Sequence, residues 1–225
     1  MKKKILILSD AHADLESLSA VLKLAGGIKN YDMKIFLGDA IGYGDKPNEV
    51  LEILTDFDIL IQGNHELLAI GEADELSYSR NARETIKRHM EQIGSKGISF
   101  LKTFKESYSY ENILFFHGAP TIPMEYLFND SNIIQIFHEY PDHRLFFGGH
   151  LHIPRLAVKK SNDDEIIFPE LSIPRSSHSL DLKRYQYLVN CPSATPGRFQ
   201  IKNPGCCTLT FNSKKSITLE LLFVE

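Results

Sequence analysis

Five apolar runs in this chain each lead into residues that can bind a cation. Run 5–8 leads into Ser9-Asp10-Ala11-His12, and run 35–37 into Gly38-Asp39. Run 59–61 leads into Gly63-Asn64-His65-Glu66, run 113–116 into His117-Gly118, and run 145–147 into Gly148-Gly149-His150-Leu151-His152. Carboxylate, carboxamide oxygen and imidazole are the donors that suit first-row divalent ions. Asp10, His12, Asp39, Asn64, His117, His150 and His152 are therefore candidate metal ligands. A lone Asp-x-His or Gly-Asp carries no weight; five ordered blocks, each closing a run of strand character, do. Asp10 and His12, like His150 and His152, sit two apart, so in extended segments each pair leaves the same face. A tight turn at Gly63-Asn64 aims the Asn64 amide oxygen at an ion and leaves His65 for whatever binds beside it.

The elements that must position these groups can be read from periodicity. After Asp10, Leu15, Leu18, Val21, Leu22 and Ala25 recur at helical spacing, with Asp14 as cap and Gly26-Gly27 as stop. Strand, loop, helix, strand is a βαβ opening. Pro47 starts a second helix to about residue 57, and 58–62 is a third strand. In open α/β sheets ligands bind at the carboxyl ends of strands. Residues 66–104 read as helical in three pieces, with 81–93 the longest and breaks at Gly94 and Gly97. Residues 108–110 and 113–116 form a hairpin across Glu111-Asn112, and 132–140 is a helix. Strands follow at 156–159, 165–168 and 185–189, with a turn at 161–164. A terminal pair, 207–211 with 217–224, turns at 212–215. Two packed sheets flanked by helices fit this order better than one doubly wound sheet. The chain is read as a single domain over 1–225, with the helical segment 66–104 as a candidate lid.

Composition narrows the function classes. The 225 residues carry a net charge of −4 at neutral pH, which offers no basic field for an extended nucleic-acid surface. Met1-Lys2-Lys3-Lys4 precedes an apolar run too short for a signal sequence or a membrane span. Cys191, Cys206 and Cys207 lack metal-site spacing; packed, reduced thiols are expected, with Cys206 and Cys207 on opposite faces of a strand. A cytoplasmic location and no membrane partner follow as expectations; the oligomeric state is not read. His89, His138, His143 and His178 match no block and are expected at the surface.

The five blocks together resemble the calcineurin-like metallophosphoesterase family. Ile41-Gly42-Tyr43-Gly44 with Pro47-Asn48-Glu49-Val50, and His117-Gly118-Ala119-Pro120 with Glu125-Tyr126-Leu127, resemble its bacterial and archaeal phosphoesterase branch. Val189-Asn190-Cys191-Pro192-Ser193 departs from that branch's Asn-Pro-Gly-Ser stretch at Cys191 and Pro192. The resemblance implies a four-layer αββα sandwich of two mixed sheets, α/β (α+β) in class. It implies two divalent ions, manganese first and Fe, Zn, Ni or Mg as alternatives. Asp10, His12 and His152 would hold one ion, Asn64, His117 and His150 the other, and Asp39 would bridge them. The implied reaction is hydrolysis of a phosphate ester by in-line attack of a metal-bridging hydroxide, with His65 assisting the leaving oxygen; two ions about 3.5–4 Å apart suit it. Two dications, two carboxylates and one hydroxide leave roughly one positive charge to hold a phosphoryl anion. Glu66 is expected to cap the helix that starts beside it.

The family's Ser/Thr protein phosphatases carry an arginine after the Gly-Asp block that clamps phosphate bidentately. Here that loop is Ala40-Ile41-Gly42-Tyr43-Gly44. The expected activity is therefore a phosphodiesterase or a small-molecule or nucleotide phosphatase, with Arg155 or Arg198 as replacement clamps and Tyr43 and Tyr126 either stacking on a base or sugar or packed as buried aromatics. A protein phosphatase or a dinucleoside tetraphosphatase is the alternative. A non-enzymatic interaction module is less expected, because every ligand position and His65 are present.

Overall fold

The strand Lys3–Leu8 (β1) is apolar on both sides because both of its sides are covered. Ile5 and Ile7 enter one core, Leu6 and Leu8 another, and all four are fully buried. The helix Leu15–Leu24 (α1) starts at Asp14, whose carboxylate accepts from the Ser17 N–H at 3.0 Å. It returns the chain to Met33–Phe36 (β2), parallel to β1. Pro47–Leu54 (α2) and Ile59–Leu60 (β3) repeat the unit, β3 again parallel.

This computed structural model describes residues 3–120, 124–127, 129–160, 163, 165–197, 202–212 and 216–225. After β3 come the helices Asn64–Ile70 (α3) and Arg80–Leu101 (α4). The hairpin Tyr108–Tyr110 (β4) and Ile113–Phe115 (β5) follows, then Asp130–Glu139 (α5) and Leu145–Gly148 (β6). Arg155–Lys160 (β7), Ile166–Ile167 (β8), Arg175–Leu180 (β9), Tyr185–Asn190 (β10), Gly205–Phe211 (β11) and Ile217–Phe223 (β12) complete the order. One sheet runs β3-β2-β1-β11-β12-β9 and the other β4-β5-β6-β10-β7-β8. Both mix parallel and antiparallel pairs.

Three cores make the layers. Ile5, Ile7, Ile35, Phe115, Phe147, Val189, Leu219 and Leu221 fill the space between the sheets. Leu18, Val21, Val50, Leu54 and Ile86 cover the outer face of the first sheet, and Ile133, Ile136 and Phe137 that of the second. The αββα sandwich is thus the one the family resemblance implies. No helix among the described residues is long and apolar enough to cross a membrane.

The differences are local. The strand at 58–62 is only Ile59–Leu60, and α2 stops at Leu54. Gly94 interrupts α4 as expected, at φ 57° and ψ −165°, but Gly97 lies within the helix. β9 was not anticipated: Arg-Ser-Ser-His-Ser-Leu has no apolar alternation, and it pairs with β12 at the sheet's outer edge, where a polar strand is tolerated. Cys206 and Cys207 do face opposite cores, and Cys207 shares the inner one with Cys191. The turns at 161–164 and 212–215 fall largely outside the described residues, as does Arg198 wholly.

Candidate metal centre

The strand ends meet at one edge of the sandwich through backbone bonds between the loops. Asp10 N–H donates to the Gly38 carbonyl and His12 N–H to the Asp39 carbonyl, both at 2.9 Å. Gly149 N–H donates to the His117 carbonyl at 2.7 Å. The ligand-bearing residues are not extended, which corrects the same-face argument. Asp10, His12, Asp39, His150 and His152 all adopt left-handed backbone, with φ between 47° and 62°. Such a conformation costs a β-carbon-bearing residue on the order of 1–2 kcal/mol, and these loop bonds hold it. Gly63 permits a close approach: a β-carbon there would lie 2.3 Å from Asp39 Oδ1 and 2.4 Å from its nitrogen.

Two donor clusters result, and Asp39 belongs to both. Ligand atoms of Asp10, His12, Asp39 and His152 lie within 4.8 Å of one another, as do those of Asp39, His117 and His150. Asn64 Oδ1 joins the second, 3.2 Å from His117 Nε2. Asp39 Oδ1 is 3.4 Å from His117 Nε2, and Oδ2 is 3.7 Å from His12 Nε2. All seven side chains are buried.

The chemistry of this donor set fits cations. His12 Nδ1 donates to the Ile41 carbonyl at 3.2 Å and His117 Nδ1 to the Leu37 carbonyl at 2.7 Å, so Nε2 is the atom each ring would offer an ion in its neutral form. His150 Nε2 meets the Met124 carbonyl at 3.2 Å, which leaves its Nδ1 as the ligand atom. His12 Nε2 and His152 Nε2 face each other at 3.0 Å beside Asp10 Oδ1, 3.1 Å from the latter. Converging lone pairs and carboxylates at such distances suit a positive ion between them.

Charge reinforces this arrangement. Burial opposes ionisation of Asp39, but His117 and His65 outweigh it and hold the carboxyl well below its usual range. Asp10 is likewise lowered, burial being overcome by His152. Burial and His65 push His12 down to about 3, and burial and His117 push His150 down to about 4. His117 goes the other way: burial disfavours its charge, but Asp39 raises it to about 9.

Around the centre lie groups whose long-range partners the sequence does not reveal. Glu66 caps α3 by accepting from Gly63 N–H at 2.9 Å, and it also accepts from the N–H groups of Asp39 and Ala40. Thr195 Oγ1 donates to the Asp10 carbonyl at 3.2 Å, and the Tyr78 hydroxyl to the Asn64 carbonyl at 2.7 Å. His89 is fully buried rather than at the surface, because α4 packs it on the 41–44 loop. No local motif marks Thr195, Tyr78 or His89. His65 Nδ1 donates to the Ile41 carbonyl at 2.8 Å, which turns Nε2 to within 3.9 Å of Asp39 Oδ2.

Tyr43 lies against His12 and His65, ring centroids 4.8 and 5.0 Å apart, and Tyr126 stacks on His150 at 4.1 Å. A cleft of about 430 Å³ opens beside the first cluster, lined by His12, Asp14, Tyr43, Gly44, Asp45, His152, Thr195 and Pro196. Arg155 is not among these; its guanidinium lies 4.0 Å over the Phe168 ring.

Comparison with known proteins agrees with the geometry. The family profile described as calcineurin-like phosphoesterase matches residues 3–154. An uncharacterized protein of Methanocaldococcus jannaschii is 31% identical over 234 residues, spanning 100% of this chain and 88% of its own. A metallophosphoesterase from Sphaerobacter thermophilus superposes with a TM-score of 0.77 at 25% identity, covering 99% of this chain and 89% of its own. A hypothetical protein from Pyrococcus horikoshii OT3 shares the fold, with a TM-score of 0.73 at 14% identity and coverage of 98% and 88%. With its donor clusters and its profile match in agreement, the chain belongs to the calcineurin-like phosphoesterase family, as a metal-dependent hydrolase of phosphate esters.

Proposed function

We propose that this hydrolase holds two divalent ions and acts on phosphodiesters or small phosphorylated metabolites such as nucleotides. The observation that carries the reading is the position of Asp39, one carboxylate shared by two donor clusters. Asp10, His12 and His152 would hold one ion, Asn64, His117 and His150 the other, with manganese the expected metal. When bound, such ions supply Lewis acidity and a water acidic enough to ionise near neutral pH.

The chain's own side chains do the rest. Asp39 fixes the spacing of the two halves. His65, oriented by its bond to the Ile41 carbonyl, would give a proton to the leaving oxygen, help worth about 10²–10⁴ in rate. The described cleft lining carries Asp14 and Asp45 and neither arginine nor lysine. A monoester dianion gains most from a guanidinium clamp, so this lining favours the singly charged diester.

The test is a panel of phosphate esters assayed with Mn²⁺, Mg²⁺ and Zn²⁺, with bound metal quantified in parallel. Two ions per chain and cleavage of bis-p-nitrophenyl phosphate are expected, both impaired in Asp39→Ala. Wild-type turnover in Asp39→Ala would overturn the mechanism.

A further inference from the structure

The loop of residues 41–44 sits between the metal centre and α4, and its backbone polar groups are bonded from both sides. On the inner side, the Ile41 carbonyl accepts from His65 Nδ1 at 2.8 Å and from His12 Nδ1 at 3.2 Å. Gly44 N–H donates to the His12 carbonyl at 2.8 Å. On the outer side, Gly42 N–H donates to His89 Nδ1 at 3.0 Å, and His89 Nε2 donates to the Gly44 carbonyl at 3.0 Å. Tyr43 N–H donates to Thr85 Oγ1 at 3.3 Å. We propose that Thr85 and His89 are positioning residues that lock this loop, and through it set His65 for proton delivery and Tyr43 as a wall of the substrate cleft.

Thr85 and His89 are four apart, so they share one face of α4. Both are buried, and both of His89's ring nitrogens bond to this loop. One imidazole bracketing a turn in this way must be neutral, with its proton on Nε2; burial lowers its pKa and favours that form. Thr85 gives its own proton to the helix, to the Asn81 or Ala82 carbonyl, so its lone pair is left for Tyr43 N–H. The loop in turn presses on His65. A β-carbon on Gly42 would fall 2.1 Å from His65 Nδ1, so a displaced loop displaces the ring. The hydrogen bonds of both residues go to this loop and to α4 itself, whereas Ile86 and Ile93 of the same helix fill the apolar core.

This inference rests on the phosphoesterase reading, and its signature is chemical. A misplaced proton donor matters little when the leaving group is a good one and much when it is poor. Mn²⁺-loaded wild type, His89→Ala, Thr85→Val and Thr85→Ser would be compared on phosphodiesters with p-nitrophenyl, phenyl and alkyl leaving groups. In His89→Ala and Thr85→Val, kcat should fall by less than about 3-fold with p-nitrophenyl but by about 10–100-fold with alkyl, the scale of a small misplacement. The metal content should stay near wild type, KM for the p-nitrophenyl diester should rise as the Tyr43 wall loosens, and Thr85→Ser, which keeps the hydroxyl, should recover the wild-type KM and dependence on leaving group. Hydrogen exchange at the Gly42 and Tyr43 amides should quicken in His89→Ala and Thr85→Val respectively.

If His89→Ala does not fold, His89→Gln and His89→Asn, each able to keep one bond, are measured in its place. Quickened exchange with an unchanged leaving-group dependence overturns the positioning role, and unchanged exchange overturns the lock itself. A wild type that cleaves no ester removes the phosphoesterase reading, while the exchange data still decide the lock.

Discussion

Asp39 is held by a second acid through its own backbone: its N–H donates to the Glu66 carboxylate at 2.7 Å. Glu66 also takes the N–H groups of Ala40 and Gly63, each at 2.9 Å, and so ties the end of β2 to the start of α3. It is fully buried, and burial together with the Asp39 charge raises it to about 7. Glu66→Ala should strand three N–H donors, at about 1–3 kcal/mol each where no water replaces the carboxylate. Thermal unfolding and metal titration should show a large loss of stability and weaker ion binding, with Glu66→Gln intermediate. An unchanged melting temperature in Glu66→Ala would refute the clamp.

Asp39→Ala and His65→Ala should fail differently. The first removes the ligand common to both clusters, and elemental analysis should find fewer than two ions per chain. The second should keep its ions and lose about 10²–10⁴ in kcat with poor leaving groups. Loss of metal from His65→Ala would move that residue into the ligand set.

Metal loading should release a proton from His117. In the metal-free protein this ring is raised to about 9 and is charged at pH 7, whereas His12 at about 3 and His150 at about 4 are already neutral. Ion binding needs the neutral ring, so affinity in this half should climb as pH rises from 7 and level off above about 9. The stability of the metal-free protein has the opposite sign. The His117 contribution is complete below the ordinary histidine value of 6.5 and is lost as pH rises through about 9. Calorimetric titration in buffers of different ionisation enthalpy counts the proton directly, and a count near zero at pH 7 contradicts the assignment.

Gly63→Ala should be among the most damaging small changes. Its new methyl would overlap Asp39 Oδ1 and the Asp39 nitrogen, both backed by buried structure. Overpacking of this kind costs about 1–3 kcal/mol, and here it also displaces the shared ligand. Differential scanning calorimetry with metal quantification would register both effects; a fully loaded, equally stable variant would contradict the packing.

Diesters should outpace monoesters. With Asp14 and Asp45 in the described cleft lining, kcat/KM for bis-p-nitrophenyl phosphate should exceed that for p-nitrophenyl phosphate. A strong monoester preference would point to a cationic group brought in from elsewhere in the chain.

Much of the candidate centre was legible because each candidate ligand follows an apolar run, and runs of β-branched and aromatic residues announce strands. The order of those runs favoured two packed sheets flanked by helices, and the family resemblance implied the αββα sandwich. Left-handed backbone at Asp10, His12, His150 and His152 was not legible, since spacing alone cannot separate an extended pair from two turn residues. β9 escaped because an edge strand needs only Ser176 and Leu180 buried. His89 and Thr85 escaped because their partners are peptide groups more than 40 residues away, which no local pattern encodes. Glu66 was read as a helix cap, which it is. Its bonds to Asp39 and Ala40 depend on two loops meeting, and as an anion it would add a third buried negative charge to a balance expected to contain two.

The donor clusters draw on both halves of the sandwich. Asp10, Asp39 and Asn64 hang from the first sheet, and His117, His150 and His152 from the second. Cations bound there would rivet one sheet to the other across their shared rim, in addition to any catalytic duty. Free ion at 100 times its dissociation constant would add about 2.7 kcal/mol per site to the folded state. A chelator should thus loosen the seam between the sheets, and metal supply would govern how long the molecule survives as well as how fast it turns over.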